Sequence, residues 1–417
     1  MSIIRPQKLG IIAGPGSEYF TRKIVNHLHD LYDQRNEKMI DALSQKYSTS
    51  TDTITRYISF MEDLSYPEIP STNGEVNLRL PNFRIDVKYT RFKNGEVKTE
   101  ILSPVRGMSV YMVYDMSVHT EIQVGDTRFT PTINDHMMFL FTTVQAVMMS
   151  GAGSITLVLP TYPYARQHKK TTREGLTAAL VGKILEDMGV TRIITLDIHS
   201  REIENAFSRL HLENLHASYE CIGALDKVLD ISSNDLVVVS PDTGAVARNK
   251  FYANALHCPL AMLYKERDYS KLSLDAKHSN IKSINLLGDV KDKHVIIADD
   301  MIATGGTLIT AMRELKKKGA KTITSIVSLP FFNGSAPEDF DAANKEGVFE
   351  HIIGTNAVFQ NERLLSKDWF VQADISELFA KVIMRLHHRR PISPLLDNRT
   401  FVQNLINKKQ QNKNKEN

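Results

Sequence analysis

Cysteine is nearly absent: Cys221 and Cys258 are the only two in 417 residues. Neither a disulfide framework nor a Cys-based zinc site can be assembled from so few. The scarcity predicts a reducing, cytoplasmic setting. No stretch approaches the ~18 consecutive apolar residues of a transmembrane helix, so no membrane span is expected. The opening MSIIRPQKLGIIAG has no continuous apolar core region, which predicts no secretory signal. A large charge of one sign is also missing. The formal charge is +3, and Lys408, Lys409, Lys413 and Lys415 against Glu416 account for it. A neutral body argues against a protein that coats nucleic acid, while leaving room for local cationic phosphate sites. No GxxxxGK[ST] loop occurs, which excludes a Walker A nucleotide site.

What is present is globular: 42% hydrophobic and 24% charged residues. The length predicts two domains, each with its own core. Short β-branched runs alternate with helix-period segments. The runs are Leu9–Ala13, Ser109–Val113, Ile155–Leu159, Arg192–Leu196, Leu236–Val239, Val295–Ala298, Thr322–Ser328 and His351–Gly354. Helices are expected over Ser17–Asp30, His136–Ser150, Gly175–Met188, Ala245–Leu256 and Thr307–Lys318. The alternation predicts an α/β fold of two domains, each a mainly parallel sheet flanked by helices. The division falls near Ala217, giving residues 1–217 and 218–405. Residues 36–88 read as an insertion in the first half. The polar tail 406–417 reads as disordered.

The sharpest motif is HVIIADDMIATGGTLITAMRELKKKG. A buried strand reaches Asp299-Asp300. The loop Ala303-Thr304-Gly305-Gly306-Thr307 then enters a helix. A helix N-terminus presents free backbone N–H groups and a favourable dipole to an anion. Gly305 and Gly306 let the backbone approach it, and Thr304 and Thr307 add hydroxyls. Asp299 and Asp300 stand where open α/β sheets bind ligands and can hold ribose hydroxyls, directly or through Mg²⁺. Gly14-Pro15-Gly16-Ser17 is a second strand-to-helix turn; it reads equally as an anion holder or as a plain turn capped by Ser17.

The DDMIATGGT segment (299–307) resembles the phosphoribosyl-binding loop of type I phosphoribosyltransferases. Four more segments, PTYPYARQHKK (160–170), RIITLDIHS (192–200), VVVSPDTGAVAR (237–248) and LYKERD (263–268), narrow the resemblance to ribose-phosphate diphosphokinases, also called phosphoribosyl pyrophosphate synthetases. RFKNGE (91–96) is similar to that family's N-terminal acidic loop. The likeness covers most of Ile101–Leu396, with residues from about 31 to 90 outside it. It implies that Arg166 and Gln167 contact ATP. It implies that Phe92, Asn94 and Glu96 hold adenine from a neighbouring subunit, in a homo-oligomer with shared ATP sites. FKNGE alone reads as an Asn-Gly hairpin turn. The resemblance further gives Mg²⁺ to His199 and Asp242, the transferred diphosphate to Asp242, Thr243, Gly244 and Ala245, and catalysis to Lys265 and Arg267. These last two would open a polar loop over Asp268–Ser283 that closes on the phosphates. The ribose 5-phosphate site would be Asp299, Asp300 and Ala303–Thr307.

The implied reaction is in-line attack of the C1 hydroxyl of ribose 5-phosphate on the β-phosphorus of Mg-ATP, with AMP leaving. Positioning and charge neutralisation suffice, without a protein nucleophile. Four departures from the family pattern are visible. Ala303 stands in place of a third acid. TGAVAR is less glycine-rich than usual. His168 replaces an acid. The segment after Lys170 is one residue shorter. A base-adding phosphoribosyltransferase would share DDMIATGGT but has no need of YARQ, LDIHS or KER. A non-catalytic homologue would be expected to lose Lys265 and Arg267.

Overall fold

The computed structural model describes residues 8–55, 83–267, 281–397 and 399–416. In the first half, β1 (Leu9–Ala13) leads into the 30-residue α1 (Glu18–Tyr47). A hairpin of β2 (Val87–Arg91) and β3 (Val97–Ile101) precedes β4 (Ser109–Val113). A second hairpin, β5 (Ile122–Val124) and β6 (Thr127–Phe129), leads to α2 (Ile133–Met149). Then come β7 (Ser154–Val158), α3 (Thr177–Asp187), β8 (Arg192–Leu196) and β9 (His211–Leu215). The strands β1-β4-β7-β8-β9 form one wholly parallel sheet in chain order.

The second half opens with α4 (Ser218–Leu225), β10 (Leu236–Ser240), α5 (Val246–Ala255) and β11 (Leu260–Arg267). It continues through β12 (Ile281–Leu287), β13 (His294–Ile302), α6 (Gly306–Lys317), β14 (Thr322–Pro330) and α7 (Ala336–Lys345). It closes with β15 (His351–Thr355), the single turn α8 (Glu362–Leu365), β16 (Phe370–Ala373), α9 (Ser376–His387), the single turn α10 (Ser393–Leu396) and α11 (Arg399–Glu416). Its seven-stranded sheet has the order β12-β11-β10-β13-β14-β15-β16, and only the β11–β12 pair is antiparallel. Chain order runs outward from β10 on one side and from β13 on the other. The topological switch point, where such sheets hold ligands, therefore lies between β10 and β13.

The two halves also share a core. One cluster of buried side chains joins the sheets, running from Leu9, Phe20 and Leu28 through Ile222 and Val238 to Phe379 and Ile383. Each half adds a cluster of its own on the outer face of its sheet. The seam is α1 against α9. Phe20 and Phe379 meet edge to face at 5.4 Å, and Lys23 reaches Asp374 at 2.7 Å. α1 buries Phe20, Ile24, Val25 and Leu28 as one stripe, the spacing that makes a helix amphipathic. Farther along, Tyr32 and Arg35 both bond Nε2 of His388, the residue that caps the end of α9, at 2.9 and 2.8 Å.

Three sequence boundaries shift. Residues 36–47 continue α1, and Phe83–Ile85 bind the β1 backbone through Ile11, so the insertion is shorter than 36–88. Within that stretch, 56–82 lie outside the described residues. The tail is helical where disorder is expected. Val402 and Ile406, four apart on α11, are 2% and 6% exposed, and Lys409 pairs with Asp226 at 2.9 Å. Polar composition from Asn407 onward hides this anchored apolar stripe. Finally, β13 does not stop before the acidic pair: Asp299 pairs with Val327 and Ile302 with Pro330, because β14 is equally long.

Candidate active site

Both glycine loops open at the carboxyl ends of the switch-point strands. After β10, Asp242 Oδ1 accepts the Ala245 N–H at 2.9 Å, and Ser240 Oγ donates to the Asp242 carbonyl at 2.7 Å. This self-bonded turn exposes Asp242, Thr243 and Gly244 at the start of α5. After β13, Gly305 caps α6 with φ +76°, a left-handed value that favours glycine. A Cβ at Gly305 would also lie 2.2 Å from the Phe340 ring, whereas Gly306 faces open space. Thr304, Gly306 and Thr307 are exposed, and the Ala303 carbonyl accepts the Asn333 N–H at 2.8 Å.

The other half meets this edge directly. His199 follows β8 and places Nδ1 2.6 Å from Asp300 Oδ2. Arg248, in the first turn of α5, approaches the other Asp300 oxygen at 3.8 Å. Burial opposes ionisation of Asp300, but the His199 hydrogen bond and the Arg248 and His199 charges outweigh it and hold this carboxyl below its usual range. Asp299 goes the opposite way. Burial, and then the adjacent Asp300 charge, raise its pKa. The two neighbouring carboxyls are thus electrostatically unlike, with Asp300 the fixed anion.

Arg166, Gln167, His199 and Ala303 line one cleft of about 290 Å³ between the halves. Arg166 is exposed and forms no ion pair among the described residues. The His168 ring packs edge-on against His199 at 5.2 Å. No hydrogen bond or ion pair joins Asp242 to His199; Asp300 takes that imidazole instead. Phe92, Asn94 and Glu96 lie elsewhere in this chain, at the β2–β3 turn. The Phe92 N–H bonds the Glu96 carbonyl at 2.8 Å, Asn94 Oδ1 accepts the Glu96 N–H at 3.2 Å, and Phe92 is 46% exposed. Lys265 and Arg267 end β11, where Lys265 pairs with Ile284 of β12. Their side chains lie outside the described residues. So does most of the expected loop, 268–280, whereas Ile281–Ser283 belong to β12.

Gly14 and Ser17 resolve to a packing turn. A Cβ on Gly14 would meet the Tyr114 ring at 2.5 Å, and Ser17 Oγ accepts the Asp115 N–H at 2.8 Å. The Asp115 carboxylate beside it, bonded by Tyr19 and Ser117, disfavours an anion.

Arg248, Asn249 and Asp197 are site residues that motif reading passes over. Asp197, at φ +40°, is buried and accepts hydrogen bonds from His216 and from Ser328 of β14. It thereby pins the turn that carries His199 to the second sheet. The only sequence signal for Asp197 and Arg248 was membership of LDIHS and TGAVAR; no spacing rule marks Asn249.

A Mg²⁺ ion suits this donor set. Mg²⁺ is commonly held by one or two carboxylates plus substrate phosphates, keeping its waters, without an all-protein cage. Among the described residues no group of three or more His, Cys, Asp or Glu forms such a cage. Asp242 Oδ2 and His199 Nε2 take no hydrogen bond among the described residues, since Asp242 bonds through Oδ1 and His199 through Nδ1.

The model for the phosphoribosyl transferase domain matches residues 211–366, so fold and site define a phosphoribosyltransferase-type protein. The model for the N-terminal domain of ribose phosphate pyrophosphokinase matches residues 67–189, starting inside the stretch that the motifs leave outside the resemblance. The chain belongs to the ribose-phosphate pyrophosphokinase family. It is 32% identical to the ribose-phosphate pyrophosphokinase of Wolinella succinogenes over 327 residues, 78% of this chain and 96% of that protein. It is 32% identical to ribose-phosphate pyrophosphokinase 2 of Schizosaccharomyces pombe over 310 residues, 74% and 88% of the two chains. The crystal structure of phosphoribosylpyrophosphate synthetase from Mycobacterium smegmatis shares the fold. Its TM-score is 0.65 at 23% identity, over 92% of this chain and 100% of that one.

Proposed function

We propose that this chain transfers the terminal diphosphate of Mg-ATP to C1 of ribose 5-phosphate, giving 5-phosphoribosyl 1-diphosphate and AMP. One observation carries the reading: the His199–Asp300 bond draws the strand end beside Arg166 and Gln167 onto the edge that bears the Thr304–Thr307 loop. Two anion-holding helix N-termini then flank one crevice, as transfer between two phosphorylated substrates requires.

In this reading Thr304–Thr307 grip the 5-phosphate through backbone N–H groups and hydroxyls. Asp300, kept anionic, orients a ribose hydroxyl, and Asp299 a second. The C1 oxygen forms a bond to the β-phosphorus while the bond from that phosphorus to the α-bridging oxygen breaks. AMP carries off the electron pair, and the proton of the C1 hydroxyl is released to water. Arg166 and Gln167 hold ATP. Asp242, Thr243, Gly244 and Ala245 receive the moving diphosphate, and Lys265 and Arg267 neutralise its growing charge. His199 and Asp242 would hold Mg²⁺, which when bound neutralises phosphate charge and orients it.

The wider assignments come from the strand–helix alternation, from the resemblance and from the scarcity of cysteine, in turn. They are a division at Ala217, a homo-oligomer in which Phe92, Asn94 and Glu96 complete a neighbour's ATP site, and a cytoplasmic setting. Both cysteines are free, and no helix among the described residues is long and apolar enough to cross a membrane. The deciding experiment supplies ATP, Mg²⁺ and ribose 5-phosphate and follows AMP. Release that needs all three is expected. Consumption of 5-phosphoribosyl 1-diphosphate with a free base, and no AMP from ATP, would assign the chain to the base-adding enzymes instead.

A further inference from the structure

We infer that Asn249 is a positioning residue that sets the spacing between the two anion-holding loops, and so tunes the affinities for both substrates together. The inference rests on the reaction proposed above. Asn249 sits on α5 and is fully buried, at 0% exposure. Its side-chain amide makes three hydrogen bonds. Oδ1 accepts the Ala298 N–H at 2.9 Å, and Nδ2 donates to the Ala298 carbonyl at 2.8 Å. The second Nδ2 hydrogen reaches the Ala245 carbonyl at 2.9 Å. Ala298 precedes the Asp299-Asp300 pair; Ala245 closes the Asp242–Ala245 loop. One amide therefore holds the base of each ligand loop.

The sheet explains why an amide is needed there. The β10–β13 ladder ends at Val238 and Ile296, whereas β13 continues against β14 to Ile302. Ala298, two residues past Ile296, presents its N–H and carbonyl to the side where β10, which runs on to Ser240 against β11, no longer pairs with β13. Buried backbone groups left without partners are costly. The Asn249 amide offers one acceptor and one donor side by side, as a strand residue would. It thus substitutes for β10 at the point where the sheet splits to form the crevice. Its remaining hydrogen fixes the start of α5 to that same point. The width of the crevice is then set by one side chain that touches neither substrate. Arg248, its neighbour, adds the 3.8 Å approach to Asp300 across the same gap.

The test compares Asn249→Ser and Asn249→Asp with wild type and with Tyr252→Phe, a buried change on the same helix that reaches neither loop. The serine keeps one donor and a small volume, so that a folded chain is available. The aspartate keeps the shape but turns an oxygen toward two carbonyls. KM for ribose 5-phosphate, KM for Mg-ATP, kcat and Tm are measured, with direct calorimetric titration of ribose 5-phosphate alone. Misplacement of reacting groups by ångström amounts is expensive, so both KM values should rise together by about tenfold or more in each Asn249 variant. Tyr252→Phe should lower Tm with both KM values unmoved. A lowered Tm with unchanged KM values would make Asn249 purely structural and overturn the inference, as would a rise confined to one substrate. A wild-type chain that releases no AMP would instead remove the proposed reaction, so the two failures are distinct.

Discussion

His199 of the first sheet and Asp300 of the second are joined at 2.6 Å. Their bond leaves Asp300 charged while Asp299 beside it is pushed toward the neutral form. Asp300→Asn removes the charge and the fixed partner of the imidazole. Its effect belongs to the site, because Asp300 is half-buried at the strand end and not in the core. We expect kcat/KM to fall by roughly 10²–10³, with Tm within a few degrees of wild type. Steady-state AMP release and a thermal melt check both halves of that statement, and near-normal turnover would detach Asp300 from the reaction.

Gly305→Ala combines a left-handed backbone with a 2.2 Å approach of the new carbon to Phe340. Together these should cost about 2–4 kcal/mol of stability. They should also weaken ribose 5-phosphate binding, because the turn that cradles the phosphate must shift. Gly306→Ala meets nothing within 4 Å of its Cβ and serves as the comparison. It should be stable, and any loss of phosphate affinity in it reports close approach of ligand to that backbone. Chemical unfolding and calorimetric titration of ribose 5-phosphate separate the two effects.

His388 predicts a pH dependence. Burial first, then the charges of Arg35, His387 and Arg390, push its pKa down to about 4. Arg35 can only donate, so His388 Nε2 must be an acceptor in the folded chain. An unfolded histidine titrates near 6.5, so between these values the unfolded chain binds more protons. The stabilising contribution is complete above pH ~6.5 and is lost as pH falls toward about 4. After allowance for solvent screening it is about 1 kcal/mol. Urea midpoints for wild type and His388→Asn should converge at pH 4 relative to pH 7; parallel curves would contradict the assignment.

Helix α11 supplies the fourth test. Ile406 is 6% exposed against the second domain, so Ile406→Ala should cost about 2 kcal/mol. Asn407→Ala, one residue on and exposed, should cost almost nothing. Equal, negligible losses would return the tail to the disordered state that its composition suggests.

Much of this site was legible because its chemistry lies in short contiguous strings. Leu236–Ser240 is buried throughout, so its apolar run gives a parallel-sheet strand and places Asp242 after it. DDMIATGGT likewise carries its helix start in its own residues. What could not be read depends on partners distant in the chain. β13 runs on through two acids because β14 pairs with it. Asp300 meets His199 across 101 residues, and the tail helix is held by Asp226 and the core shared by the two sheets. The Asn249 amide looks like an ordinary polar residue within a helix until the loss of β10 pairing beside Ala298 is seen.

The merged core between the sheets bears on how the molecule comes apart. Severed at Ala217, each piece would present to water the wall it had shared, one lacking Phe379 and the other Phe20. Neither fragment has a way to cover that wall alone. Loss of structure should therefore be a single all-or-none event, with co-expression of the pieces needed for either to persist.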